Sequence, residues 1–246
     1  MISRNKNIIK TPFGIIQNEV GLFPIIYLFI IHLSGLLPWK LYDEKKFFEL
    51  WSRHEYLAEH FQFIFYISAA IISLVIIFKN KYKVRSSQNL YWIILMISLF
   101  VISFEEISYI NTINIDFFDF IRSNNAQNEV NFHNSDFFHP FLHAGFIFLN
   151  LFLGWFGWRN LSFIEAIPSK IYSLYFLFPA LAFTIFELKN YIPSVLFSRI
   201  PVQLENYEFL MALALFLHTL KNLKKYLKMN LFFSNIFLST AFKFID

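Results

Sequence analysis

Six apolar runs, each close to the length that crosses a bilayer, constrain this chain more than any other feature. They cover residues 21–39, 56–78, 90–110, 137–158, 171–188 and 207–220. At a rise of about 1.5 Å per residue, ~20 apolar residues traverse the ~30 Å hydrocarbon layer as a helix. The last two runs are near the short limit, and the sixth carries polar residues. Backbone amides find no water inside a bilayer, so runs of this kind satisfy themselves as helices. The expected fold is an all-α, polytopic transmembrane bundle of about six spans, one integral membrane domain over 1–246. A last apolar stretch, 229–244, is short for a span and reads as an interfacial or re-entrant segment. Leu37-Pro38-Trp39-Lys40 after the first run offers no small-residue cleavage site, so that run is expected to stay as an uncleaved helix.

Composition agrees with a chain whose surface meets lipid. Hydrophobic residues make up 57% and charged residues 15%, against about a quarter charged in soluble domains. With no cysteine, disulfides, thiolate nucleophiles and Cys-bound metals are excluded. The chain is basic overall, with a net charge of +4. Its Lys and Arg flank apolar runs and form no stripe of their own, so nucleic acid is not an expected partner, whereas membrane lipids are.

Those basic residues set an orientation. With the N-terminus in the cytoplasm, the inside segments are the N-terminal tail, 79–85, 159–170 and everything from Lys221 onward. They hold two thirds of the 21 basic residues. Both termini are thus expected in the cytoplasm, in a bacterial inner (plasma) membrane. The acids sort the other way, although they do little to set topology. All but Glu19, Glu165 and Asp246 of the 17 acidic residues, and five of the seven histidines, fall at the non-cytoplasmic face.

Three segments concentrate that chemistry. The second run opens with His54-Glu55-Tyr56-Leu57-Ala58-Glu59-His60-Phe61-Gln62, which puts Glu55, Glu59 and Gln62 on one helical stripe. The third ends in Phe104-Glu105-Glu106-Ile107-Ser108 after an almost wholly apolar stretch, where a carboxylate costs ~2.5–3.5 kcal/mol at mid-membrane depth and less near the interface. The loop that follows is Asn-rich and carries Glu129, Asn131, His133 and Asn134. It leads to His139-Pro140-Phe141-Leu142-His143, whose imidazoles share a face at i, i+4, a spacing by which helices offer two ligands to one metal. Glu49, Asp116 and Asp119 read as solvated rim residues, His32 as a helix-packing donor, and His218 as separate from this face.

Two resemblances attach to these residues. Phe104-Glu105-Glu106-Ile107-Ser108 and Gln127-Asn128-Glu129-Val130-Asn131-Phe132-His133-Asn134 resemble the recurring motifs of an uncharacterised family of bacterial multi-pass membrane proteins. That resemblance implies a preserved polar site and supplies no activity. Where the family follows Ile-Ser with Trp-Gly-Gln, this chain has Tyr109-Ile110-Asn111. Glu105-Glu106 is also similar to the first half of the Glu-Glu-x-x-x-Arg motif of CPBP-type intramembrane proteases, with Ile110 at the arginine position.

The function expected from the residues is a membrane-embedded hydrolase or transferase acting on a lipid, lipid-linked or membrane-peptide substrate. Glu105 or Glu106 would serve as general base and Glu129 would orient a partner. His133, His139 and His143 would hold a divalent metal, zinc by ligand type, with Glu55, Glu59, Asn131 and Asn134 in support. The alternative is a non-enzymatic membrane protein: a transporter or proton relay, or an accessory subunit. Transporters usually place ionisable groups at mid-bilayer and break helices with Gly or Pro. Six glycines and charges crowded at one face favour a one-sided site.

Overall fold

A computed structural model describes residues 9–10, 16–17, 19–36, 57–80, 86–106, 139–188 and 201–227. Among these, six long helices carry the fold: α1 (Glu19–Leu36), α2 (Leu57–Asn80), α3 (Ser86–Glu106), α4 (His139–Leu151), α5 (Ser173–Glu187) and α6 (Pro201–Leu227). A π-turn, Phe152–Gly157, and a short helical piece, Trp158–Asn160, extend α4. A 3₁₀ turn, Lys170–Tyr172, leads into α5. Before α1, Ile9–Lys10 and Ile16–Gln17 form a two-residue antiparallel ladder.

Among the described residues, three helices are long and apolar enough to cross a membrane: Leu57–Lys79, Phe141–Asn160 and Lys170–Glu187. Val20–His32 and Gln88–Phe104 are apolar too, but shorter in the described residues. The apolar side chains face outward as much as inward. Phe29, Phe78, Phe141 and Phe148 are each more than 60% exposed. Such a surface would aggregate in water, and it matches hydrocarbon tails.

The interior, by contrast, is partly small and partly polar. Helix α2 packs most extensively on α6 and α3, α5 on α6, and α4 and α1 on α5. Ala58, Ala69 and Ala70 of α2 and Ala212 and Ala214 of α6 are all almost fully buried. Small side chains let helix backbones approach closely, which is how helices gain contact when lipid removes the hydrophobic drive between them. Aromatic rings fill the remaining space, with Phe65 against Phe209 and Phe216, and Tyr27 against Phe209.

Side-chain contacts set the helix directions. Gln62 and Phe65 meet Glu205 and Phe209, so α2 and α6 run parallel. His143 meets Phe183 and Glu187 while Gly154 meets Phe176 and Leu177, so α4 and α5 are antiparallel. Tyr172 meets His218, which turns α5 against α6. These directions bring Glu59, His143, Glu187 and Glu205 to one end of the bundle. Arg159, Lys170, Lys221 and Lys225 lie at the other. The first is the acidic end of the bundle and the second its basic end.

Candidate functional site

At the acidic end, α2 turns its polar stripe inward. Glu59 is 8% exposed and Gln62 fully buried, three residues apart and so on one helical face. That face meets the start of α6. Gln62 Nε2 donates to the Glu205 carbonyl at 2.9 Å and lies 3.4 Å from the Glu205 carboxylate. Asn206, also fully buried, accepts from the Tyr27 hydroxyl at 2.9 Å, which ties in α1. One turn further along α1, His32 Nδ1 lies 2.7 Å from the Leu28 carbonyl. A carbonyl only accepts, so Nδ1 carries the proton and Nε2 is left to accept from the Tyr207 hydroxyl at 3.3 Å. His32 therefore joins α1 to α6, but across the helices it accepts a hydrogen bond, where the sequence suggested a donor. An unmade hydrogen bond in an apolar interior costs several kcal/mol, so this network fixes the relative heights of α1, α2 and α6. Gln62 Oε1 is buried with no hydrogen-bond partner among the described residues.

The second feature of this end joins α4 to α5. His143 Nδ1 stands 2.5 Å from Glu187 Oε1, with the histidine side chain 14% exposed and the glutamate 43%. The imidazole is wedged edge-on against Phe183 and Phe186, at centroid distances of 5.1 and 5.8 Å. A carboxylate at Nδ1 holds that proton and makes Nε2 the nitrogen with the lone pair. This is the arrangement by which a carboxylate orients a metal-binding or proton-transferring histidine.

Among the described residues, α4 has α5 as its main neighbour and α3 has α2, and His143 faces Glu187. The convergence expected of Glu105, Glu106 and the helix-4 histidines turns on side chains that lie outside the described residues. The chain between Glu106 and His139 is long, so nothing in it forces consecutive helices to be neighbours.

Glu105 and Glu106 close α3, and His139 opens α4. Their side chains lie outside the described residues, as do Glu55, Glu129, Asn131, His133 and Asn134 and the segment 229–246. Among the described residues, no three His, Asp or Glu side chains are grouped so as to hold a metal.

The basic end holds contacts that patterning alone did not single out. The loop 161–169 is anchored through Glu165, whose carboxylate accepts from Lys225 Nζ and the Tyr226 hydroxyl. Its backbone N–H donates to Gln88 Oε1 at 3.1 Å, and Gln88 Nε2 donates to the Phe163 carbonyl at 2.9 Å. His218 lies beneath, 3% exposed, between the parallel ring of Trp92 and the edge of Tyr172. Its Nε2 reaches the Glu165 carbonyl at 3.0 Å. The available signal was Glu165 itself, an isolated acid in a basic segment, with His218 and Asn222 one turn apart on α6. No protein-family model, no curated protein and no solved structure matches the chain.

Proposed function

We propose that this chain is a six-span membrane protein with both termini in the cytoplasm of a bacterial inner membrane. Its acidic end, on the non-cytoplasmic side, is a hydrolase or transferase site for a lipid, lipid-linked or membrane-peptide group that enters laterally. The observation that carries this reading is the His143–Glu187 pair. An imidazole whose Nδ1 is held by a carboxylate presents Nε2 in fixed orientation to a metal or a transferable proton. Such an imidazole suits one ligand position of a zinc site, with His139 and His133 as the other histidines of the same face and loop. A divalent metal bound there would supply an activated water near neutral pH. The chain's own groups would do the rest: Glu187 orients His143, and Glu105 or Glu106 takes the proton from the attacking group. Buried Glu59 and Gln62 keep the start of α2 polar at the same end, and Gln62 ties it to α6.

Elemental analysis of the purified, detergent-solubilised protein tests this. About one zinc per chain is expected, lost in His143→Ala and His139→Ala and weakened about 10–100-fold in Glu187→Ala, which removes the orienting group. A metal-free wild type after purification in zinc-supplemented buffer would overturn the metal-dependent reading. Copurification of a second protein at fixed stoichiometry would then favour an accessory subunit.

A further inference from the structure

The basic end contains a recess unrelated to the His143 pair. Its volume is about 340 Å³, and it is walled by the loop 161–169 and the last turns of α6. That lies at the small end of the ~300–1,000 Å³ usual for small-molecule sites. Its polar wall consists chiefly of Ser169, Lys170, His218, Lys221 and Asn222. Glu165 also borders it, and its carboxylate accepts from Lys225 and Tyr226; Lys170 and Lys221 are the basic side chains in the wall.

Two further observations concern what would fill it. Ser169 Oγ is buried with no hydrogen-bond partner among the described residues. The residue stands at the start of the 3₁₀ turn without using its hydroxyl as a cap, and it is one of the residues that wall the recess. At the same end of the bundle the rings of Trp155, Phe156 and Phe163 are exposed, and the Arg159 guanidinium lies 4.4 Å over Trp155. An aromatic girdle with basic side chains is the composition found where a bundle meets lipid headgroups. A recess with two lysines and an asparagine in its wall at that end matches an anion with several acceptor oxygens.

We infer that this recess binds a phosphate group, carried by an anionic phospholipid headgroup or by a water-soluble phosphate ester, through Lys170 and Lys221. The inference does not depend on the reading of the acidic end.

The test uses the full chain, delipidated in detergent and titrated with phosphatidylglycerol, phosphatidylcholine or glycerol phosphate, with binding read by native mass spectrometry and phosphorus NMR. Phosphatidylglycerol is expected to bind about tenfold more tightly than phosphatidylcholine, and the double variant Lys170→Gln/Lys221→Gln should lose about that factor. Lys79→Gln, which removes an exposed lysine at the same end but outside the recess, should change nothing. Ser162→Trp, which fills the mouth without altering charge, should give the same loss as the double variant and guards against a folding artefact in either. Glycerol phosphate binding as tightly as the lipid would make the ligand a soluble ester, and its failure beside a retained lipid would make it a headgroup. Equal binding by the wild type and the double variant, or an equal loss in Lys79→Gln, overturns the site.

Discussion

Nδ1 of His143 and Oε1 of Glu187 meet at 2.5 Å, joining the start of α4 to the end of α5. The contact closes a hairpin whose other end is the loop 161–169, so the two helices are pinned at both ends. A double-mutant cycle of His143→Ala and Glu187→Ala should give a coupling of roughly 0.2–1 kcal/mol in thermal or steric-trapping unfolding, the range for pairs with a solvent-facing partner. Zero coupling, with both single variants folded, would remove the carboxylate as the orienting group.

Orientation is a separate matter, resting on where Lys and Arg fall. Reporter fusions after Arg85, Arg159 and Lys228 should score cytoplasmic, and fusions at Asn125 and Ser194 non-cytoplasmic. A cytoplasmic signal at Asn125 would put the acidic end on the wrong side for the proposed site.

Two glycines on α4 should respond oppositely to alanine. At Gly154 an added Cβ would lie 3.0 Å from Leu177 and 3.1 Å from Phe176, in the buried seam with α5. Gly154→Ala should destabilise by about 1–3 kcal/mol through overpacking. Gly145 has nothing within 4 Å of that position. Gly145→Ala should be stabilising by about 0.5–1 kcal/mol, because it removes only the backbone freedom of a mid-helix glycine. The same sign for both variants in an unfolding assay would refute the close seam.

The Tyr27–Asn206 bond tests how tightly α1 is held. Tyr27→Phe keeps the ring against Phe209 and deletes the hydroxyl alone. Interhelical hydrogen bonds in membranes average ~0.6 kcal/mol, so a loss of that size, and not above ~1.7, is expected. A near-complete loss of folded protein would mean that Asn206 cannot be left without a donor.

The helices were largely legible because apolar length is a one-dimensional signal. Apolar run 56–78 and helix Leu57–Asn80 differ by two residues at most at either end. Run 207–220 underestimates α6 (Pro201–Leu227), whose ends carry Gln203, Glu205, Lys224 and Lys225 and lack the apolar signature. What could not be read was which helix lies beside which. His143 has Glu187 forty-four positions away as its partner, and Gln62 has Glu205 at a separation of 143. Such pairings depend on packing order, and six apolar helices admit many orders with equal periodicity. The Glu165 anchor was hidden for a different reason: its partners, Gln88, Lys225 and Tyr226, are unremarkable residue types without a spacing rule.

The π-turn in α4 has a mechanical implication. Over Phe152–Gly157 the helix takes one residue more per turn, and the Gly154 carbonyl accepts from the Trp158 indole at 2.8 Å and from the Ser173 hydroxyl. Successive residues of an α-helix are turned by about 100°, so an extra residue sets the phase of everything beyond it against everything before it. His143 stands on one side of that dislocation and Trp158, in the wall of the basic recess, on the other. Helix α4 is thus a shaft in two lengths with a fixed angular offset, clamped at the coupling by a serine and an indole. Relaxing the turn to ordinary pitch would swing Trp158 out of the recess by about a quarter-turn while leaving His143 against Glu187.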